Sequence, residues 1–294
     1  MSRTRAKPSG ARAATRAAPG DCARHAARRA TLDFERRRPY VPDAGPVQLE
    51  AHGVHLYAFG LQADADALRT WSANLASDEA ARAARFVHAV HRDRYIVAHG
   101  VLRDLLSRHC GQKPHEIVFG TGVHGKPHLV HPGGTRLHFN LAHADDRALI
   151  AITGGASVGV DLERERTDAD LLDVARRYFH GEEWTTLCRT PAAHFAAVFC
   201  AHWVAKEAVL KGAGTGLACP LDRFGVRFAA DGLTAHVTTC DPTQIAPDWL
   251  VHMLPVAAGW RAAVALRDTG SSPRFVLPAA SEPCATTADG ELLE

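Results

Sequence analysis

Two groups of charged residues have the types and the spacing needed for chemistry. Asp161 and Glu163 lie two positions apart in an apolar run that predicts a strand, so both carboxylates should face the same side. Trp203, Glu207 and Lys211 recur every four positions, which places them on one stripe of a predicted helix. Two carboxylates held this close repel each other unless a positive charge lies between them. The pattern therefore favours a cation beside the strand.

A hard divalent cation would supply that positive charge. Carboxylate oxygens favour Mg²⁺ or Mn²⁺, and Mg²⁺ usually combines few carboxylates with water and substrate phosphate oxygens. Glu207 could supply a third oxygen if its helix packs against the strand. The same residues also suit a plain surface, because an exposed Glu–Lys pair one turn apart stabilises a helix slightly, and the acidic pair is followed by Arg164. Spacing alone leaves both interpretations open.

The two ends of the chain differ in composition from its centre. Residues 1–47 carry 11 Lys and Arg against four Asp and Glu, whereas the whole chain of 294 residues has a net charge of +2. This basic leader shows no apolar periodicity, and we predict that it is disordered. A transit peptide or a nucleic-acid arm would also be rich in Arg, but Asp21, Asp33 and Glu35 weaken both interpretations. Residues 268–294, rich in Ser, Pro, Thr and Ala, predict a loose tail.

Cysteine usage and hydropathy limit the compartment and the class of protein. The seven cysteines are scattered without a C-x-x-C pair, which predicts reduced thiols in the cytoplasm rather than disulfides or a zinc site. The 18 histidines include no H-E-x-x-H motif. No run of 18 apolar residues is present, so we expect a cytoplasmic protein with no segment in a membrane.

Apolar periodicity predicts an α+β fold built from two similar halves, residues 48–155 and 156–267. Each half begins with a strand, continues through helices and ends in further strands. Predicted strands cover residues 54–59, 116–119, 137–141, 148–153, 157–162, 224–228, 234–238, 249–254 and 262–266, and predicted helices cover 65–75, 80–109, 169–179, 182–187 and a long helix from Pro191. The glycines at 212–216 favour a C-cap for that helix, because its C-terminal end repels anions.

The acidic run and the helix stripe together resemble the paired signatures of the 4′-phosphopantetheinyl transferase superfamily. Residues 159–163 read G-V-D-L-E, and residues 203–211 read W-V-A-K-E-A-V-L-K. The order and spacing are similar to those of the two-halved, surfactin-synthetase-activating type. The loop Gly125-Lys126-Pro127 and the run F-N-L-A-H at 139–143 also resemble family motifs. Ala142 stands where the family usually has Ser, so that position receives no role.

The resemblance implies a fold, a reaction and a set of site residues. The two halves would form a pseudo-dimer with the active site in the cleft between them. Phosphopantetheine would pass from coenzyme A to a serine of an acyl or peptidyl carrier protein, and adenosine 3′,5′-bisphosphate would leave. Asp161, Glu163 and Glu207 would bind Mg²⁺ or Mn²⁺. Lys211 and His143 would neutralise phosphate charge, and Glu207 would take the serine proton.

The implied coenzyme A site draws on the basic residues of the first half. The basic segment from Arg82, with Arg94, resembles the start of the family's two-halved members. The coenzyme-binding set is then Arg82, Arg94, Lys126, Pro127, His143 and Lys211. The resemblance further implies a monomer that serves nonribosomal peptide, polyketide or siderophore synthases.

Two other functions remain as alternatives. The same carboxylates could serve a Mg²⁺-dependent phosphohydrolase that uses water as the nucleophile on a nucleotide-like diphosphate. A nucleic-acid-binding module led by residues 1–47 would bind with a steep salt dependence. The body of the chain lacks the clustered basic and aromatic surface that such a module needs, so we expect no nucleic-acid partner.

Overall fold

In the computed structural model, the structure describes residues 32, 34, 49–50, 53–130, 137–167, 170–239, 241–268, 270 and 272–277. All of them belong to one compact unit, Thr31–Glu294. Its strands are β1 Gly53–Gly60, β2 Val118–Thr121, β3 Pro127–Val130, β4 His138–Ala144, β5 Arg147–Thr153, β6 Val158–Arg164, β7 Phe224–Phe228, β8 Thr234–Thr239, β9 Trp249–Leu254, β10 Trp260–Arg267 and β11 Arg274–Val276. Its helices are α1 Ala65–Ala73, α2 Ser77–Ala83, α3 Ala89–Cys110, α4 Leu171–Tyr178, α5 Gly181–Arg189 and α6 Ala192–Ala213.

The strands of the described ranges form two larger sheets and one hairpin. The first sheet has the order β11-β1-β5-β4, and the second has the order β6-β10-β9-β8-β7. β2 and β3 pair only with each other. Helices α1 and α3 pack on the first sheet and α6 packs on the second, which confirms the predicted α+β class. The expected helix through 80–109 is instead two helices, because residues 84–88 leave the helical conformation between α2 and α3.

A shared apolar cluster joins the two sheets. It contains Val54 and Leu149 from the first sheet and Val160 and Val264 from the second, all nearly inaccessible to water. At the same junction the side chain of Asn140 accepts a hydrogen bond of 2.8 Å from the backbone N–H of Val160. β4 and β6, the edge strands of the two sheets, therefore meet through a side chain.

The ends of the chain hold packed residues that composition did not reveal. Of the predicted leader, residues 1–47, only Leu32 and Phe34 are described, and both are buried in the cluster between the sheets. The N–H of Leu32 donates to the carbonyl of Pro255 at 2.8 Å. Within the predicted tail, β11 pairs in parallel with β1. Each of these segments has only two apolar residues, Leu32 and Phe34 in one and Phe275 and Val276 in the other, which is too few for a periodicity signal.

The main chains of strand β6 and helix α6 come into contact at Gly159. A Cβ atom added there would lie 2.0 Å from the carbonyl oxygen of Ala208 and 2.2 Å from the nitrogen of Gly212. No side chain fits between these main chains, so β6 and α6 are in direct backbone contact. This contact holds the two signature segments side by side. Among the described residues, no helix combines the length and hydropathy of a membrane span.

Candidate active site

The centre of the candidate site is an ion pair between Asp161 of β6 and Lys211 of α6. Asp161 Oδ1 lies 2.5 Å from Lys211 Nζ, and the aspartate is 3% exposed. The other oxygen, Asp161 Oδ2, is buried and has no hydrogen-bond partner. A buried carboxylate oxygen that lacks a partner is costly, which marks this position as one that a cation or a donor would complete.

Glu163 and Glu207 both lie within electrostatic range of Asp161. Burial, followed by the charge of Asp161, raises the pKa of Glu163 to about 7. Burial and then Asp161 also raise the pKa of Glu207. Burial raises the pKa of Asp161 as well, and the ion pair with Lys211 offsets only part of that increase. The two signature segments thus bring three carboxyl groups within electrostatic range of one another.

The donor set suits a hard cation, although its side chains are not arranged around one. Over the described ranges, no group of three or more His, Cys, Asp or Glu side chains could hold a metal ion as they stand. Asp161 Oδ1 is paired with Lys211 instead. Three carboxylates with one buried oxygen left without a partner nevertheless offer the oxygen ligands that Mg²⁺ prefers. The carboxylate oxygens of Asp161, Glu163 and Glu207 are therefore ligands of the type that binds Mg²⁺.

His143 lies within electrostatic range of Lys211 on α6 and of Arg94 on α3. Its ring is exposed at the end of β4, but the surrounding protein displaces part of its water. This desolvation, followed by the positive charges of Lys211 and Arg94, lowers the pKa of His143. Burial lowers the pKa of His99 to about 4, with further contributions from Arg82 and His143. The cations that act on these two imidazoles form a positively charged strip, which we define as Arg82, Arg94 and Lys211.

A buried ion pair sets the position of Arg82 on this strip. Glu79, in the first turn of α2, accepts a hydrogen bond from the guanidinium of Arg103 on α3. Arg103 also donates to the carbonyls of Pro114 and Ile117, at 2.8 and 2.9 Å. Arg82 lies one turn beyond Glu79, and its guanidinium is 5.4 Å from the centre of the Tyr95 ring. The pair of Glu79 and Arg103 therefore holds α2, the helix that carries the exposed Arg82, against α3.

Lys126 and Pro127 lie at the hairpin of β2 and β3. Pro127 is exposed at the start of β3. The ammonium of Lys126 points into the protein, where it donates to Ser157 Oγ at 3.1 Å, to the carbonyl of Val158 at 3.0 Å and to that of Gly212 at 2.7 Å. All three donors of Lys126 are thus taken by protein oxygens, which the sequence did not indicate.

A second residue whose position sequence reasoning missed is Lys206, next to Glu207 in the helix signature. It is fully buried, and its ammonium lies 2.6 Å from Glu183 Oε2 of α5. It also donates to the carbonyl of Phe224. Trp203, one turn away, packs against the Phe179 ring at the end of α4, with ring centres 6.4 Å apart. These contacts fix the rotation of α6, so that Glu207 and Lys211 face Asp161.

A polar cavity of about 550 Å³ opens beside the acidic group. Its walls come from the turn after β4 and from the end of β6, and they include His143, Asp145, Glu163, Arg164 and Arg166. Arg164 lies 3.6 Å from Asp145 across the opening. The cavity offers space for a charged substrate next to Glu163 and His143.

Comparison with known proteins places the chain in a family. Residues 157–265 match the model of the 4′-phosphopantetheinyl transferase superfamily. The chain is 32% identical to 4′-phosphopantetheinyl transferase HetI of Nostoc sp. (strain PCC 7120), over 80% of this chain and 97% of that relative. It is 30% identical to 4′-phosphopantetheinyl transferase Sfp of Bacillus subtilis (strain 168), over 50% of this chain and 64% of that relative. The chain belongs to the 4′-phosphopantetheinyl transferase superfamily.

Proposed function

We propose that this protein transfers 4′-phosphopantetheine from coenzyme A to a serine of an acyl or peptidyl carrier protein. The observation that carries the proposal is the meeting of Asp161, Glu163 and Glu207 with Lys211 at the end of a positively charged strip. Carboxylates at one end and cations along the strip suit a diphosphate that must be held while one phosphorus is attacked. The relatives named above carry the same activity in their names.

The proposed step forms one bond and breaks another at phosphorus. The serine oxygen bonds to the phosphorus next to pantetheine, its proton passes to Glu207, and adenosine 3′,5′-bisphosphate leaves. Lys211 and His143 stabilise the negative charge that develops on the phosphate oxygens. Asp161, Glu163 and Glu207 would hold Mg²⁺, which when bound neutralises diphosphate charge. Mn²⁺ would suit the same oxygen ligands.

The basic face of the first half would bind the rest of coenzyme A. Arg82 and Arg94, with the exposed Pro127, form the proposed site for the 3′-phosphate and the adenine. The ammonium of Lys126 is bonded to protein oxygens and is left out of this site. We place His143 at the diphosphate, because it lines the polar cavity with Glu163 and lies within electrostatic range of Arg94 and Lys211. We also propose that the protein works as a cytoplasmic monomer and serves nonribosomal peptide, polyketide or siderophore synthases.

Intact-mass measurement of carrier proteins tests the reaction. Apo forms of several acyl and peptidyl carrier proteins are incubated with the protein, coenzyme A and Mg²⁺. We expect one carrier to gain a single phosphopantetheine group at its serine while adenosine 3′,5′-bisphosphate accumulates. Release of phosphopantetheine without any carrier protein would instead identify a phosphohydrolase. Light scattering of the same sample checks the monomer.

Reversing the charge of Arg82 should weaken coenzyme A binding selectively. For Arg82→Glu we expect the KM for coenzyme A to rise about tenfold or more, because a lost charge-assisted contact to phosphate costs about 1.5–3 kcal/mol. The KM for dephospho-coenzyme A, which lacks the 3′-phosphate, should barely change. Arg176→Glu, the same charge change at an exposed site on α4, is the control. Equal effects on both substrates would remove Arg82 from the 3′-phosphate site.

Metal removal should stop transfer. Treatment with excess EDTA should abolish the gain in carrier mass, and Mg²⁺ in excess over the chelator should restore it. The melting temperature in EDTA, without substrate, shows whether the fold has survived. Transfer at an unchanged rate in EDTA would show that the three carboxylates act without a metal.

A further inference from the structure

The Lys126 side chain reaches from the hairpin of the first half to the point where β6 and α6 cross. Its ammonium contacts Ser157 Oγ and the carbonyl of Val158 on the β6 side, and the carbonyl of Gly212 on the α6 side. Ser157 Oγ itself donates to Gly212 at 2.7 Å. One ammonium thus bridges the strand that carries Asp161 and the helix that carries Lys211.

The acceptors explain why a cation belongs there. The last carbonyls of a helix have no partner within the helix, and the helix dipole makes that end negative. The Gly212 carbonyl belongs to this last turn of α6. An ammonium has three donors, and this one has three oxygens within 3.1 Å. A lysine that binds a phosphate must instead keep its donors turned toward the ligand.

Glycines at the hairpin turn and at the end of α6 leave room for the stem of Lys126, the aliphatic part of its side chain. Gly122 and Lys126 close the hairpin turn with a 2.9 Å backbone hydrogen bond, and Gly125 supplies the positive φ of +91° that the turn requires. Gly214, the C-cap of α6 at φ +71°, lies under the stem, and a Cβ there would be 3.0 Å from the Lys126 side chain. The stem therefore lies against the backbone at the helix end.

The bridged crossing is adjacent to the candidate site in the chain. Gly212 directly follows Lys211, and Val158 is three residues before Asp161. Between these points the backbones touch at Gly159. A small change in the separation of β6 and α6 at this crossing would therefore move the carboxylates relative to Lys211.

We infer that Lys126 is a positioning residue, whose side chain holds β6 and α6 in the separation that the transfer reaction needs. The inference rests on the proposed function for its effect on rate. In this role Lys126 acts through Gly212 and Val158 and does not contact coenzyme A with its ammonium. Burial lowers the pKa of Lys126 to about 8, which fits an ammonium enclosed by protein.

A split between kcat and KM tests the inference. For Lys126→Met, which keeps the stem and removes the donors, we expect kcat to fall about 10- to 100-fold, since a misplacement near 1 Å can cost about 10²-fold. The fall should be equal with coenzyme A and dephospho-coenzyme A, and each KM should change less than about threefold. Lys113→Met, at an exposed lysine before the hairpin, should leave both constants unchanged.

Hydrogen exchange gives a readout that does not depend on activity. In Lys126→Met the backbone amides of the last turn of α6 should exchange faster, while those of α3 should not. Ser157→Ala removes only the hydroxyl of the bridge and should produce a smaller change in the same amides. If Lys126→Met does not fold, hydrogen exchange in Ser157→Ala tests the inference in its place.

Three results would overturn the inference. One is a rise in KM confined to coenzyme A, which would make Lys126 a ligand of the 3′-phosphate. The second is an unchanged kcat in Lys126→Met, and the third is unchanged exchange at the end of α6. If the wild-type protein modifies no carrier, the proposed function fails, whereas the exchange experiment still decides whether Lys126 holds the crossing.

Discussion

Asp161→Asn should abolish transfer without lowering the melting temperature. The substitution keeps the shape of the side chain but removes the negative charge that pairs with Lys211 at 2.5 Å. We expect kcat to fall at least about 10²–10³-fold, the usual cost of one preorganised electrostatic contact in an active site. Because the Lys211 side chain is 33% exposed, water can solvate its ammonium once the carboxylate is lost, so the substitution should cost little folding free energy.

Two controls make that result interpretable. Asp173→Asn changes an exposed aspartate on α4 and should leave both kcat and melting temperature unchanged. The melting temperature of Asp161→Asn, measured with the kinetics, separates lost chemistry from lost structure. Activity near the wild-type level in a folded Asp161→Asn protein would refute the assignment of the site.

Lys206→Met, unlike Asp161→Asn, should strongly lower the free energy of unfolding. Lys206 and Glu183 are both almost completely buried, with Nζ and Oε2 2.6 Å apart. Glu183 also accepts backbone hydrogen bonds from His180 at 2.8 Å and from Val226 at 2.7 Å. Removing one partner leaves the other charge buried and unpaired, which costs about 3–5 kcal/mol of unfolding free energy. Chemical denaturation measures this cost.

The chain contains a matched control for the buried pair. Glu182, next to Glu183 on α5, forms an ion pair of 2.7 Å with Arg227 of β7, but on the surface. Arg227→Gln should change the denaturation midpoint little, because water screens exposed pairs. If Lys206→Met were as mild as Arg227→Gln, the buried pair would not hold α6 in place. Restoration of stability by adding Glu183→Leu to Lys206→Met would show that the unpaired carboxylate caused the loss.

Local patterns in the sequence predicted most elements and the centre of the site. Alternation at β1 and the four-residue spacing along α6 depend on neighbours in the chain, so periodicity detects them. The same spacing placed Glu207 and Lys211 on the face that meets Asp161. The Gly-rich segment after α6 ends the helix, with Gly214 in the left-handed conformation, as its position predicted.

Long-range contacts account for the features that the sequence could not predict. Leu32 and Phe34 are buried only because two sheets converge above them, and no local period marks them. Asn140 reads as part of a strand, yet its side chain bonds to Val160 across the junction of the sheets. Lys126 reads as a basic loop residue, and only the fold shows that its ammonium faces inward. The limits of the predicted halves remain a prediction.

The contact of main chain with main chain at Gly159 limits what protein engineering can change. Because no side chain separates β6 from α6 there, a larger residue at Gly159 or Gly212 would have to pry the strand from the helix. Substitutions are better placed in the walls of the polar cavity. Asp145, Arg164 and Arg166 line that cavity, away from this backbone contact. A mutant library confined to those walls would vary the cavity while the contact between β6 and α6 stays constant.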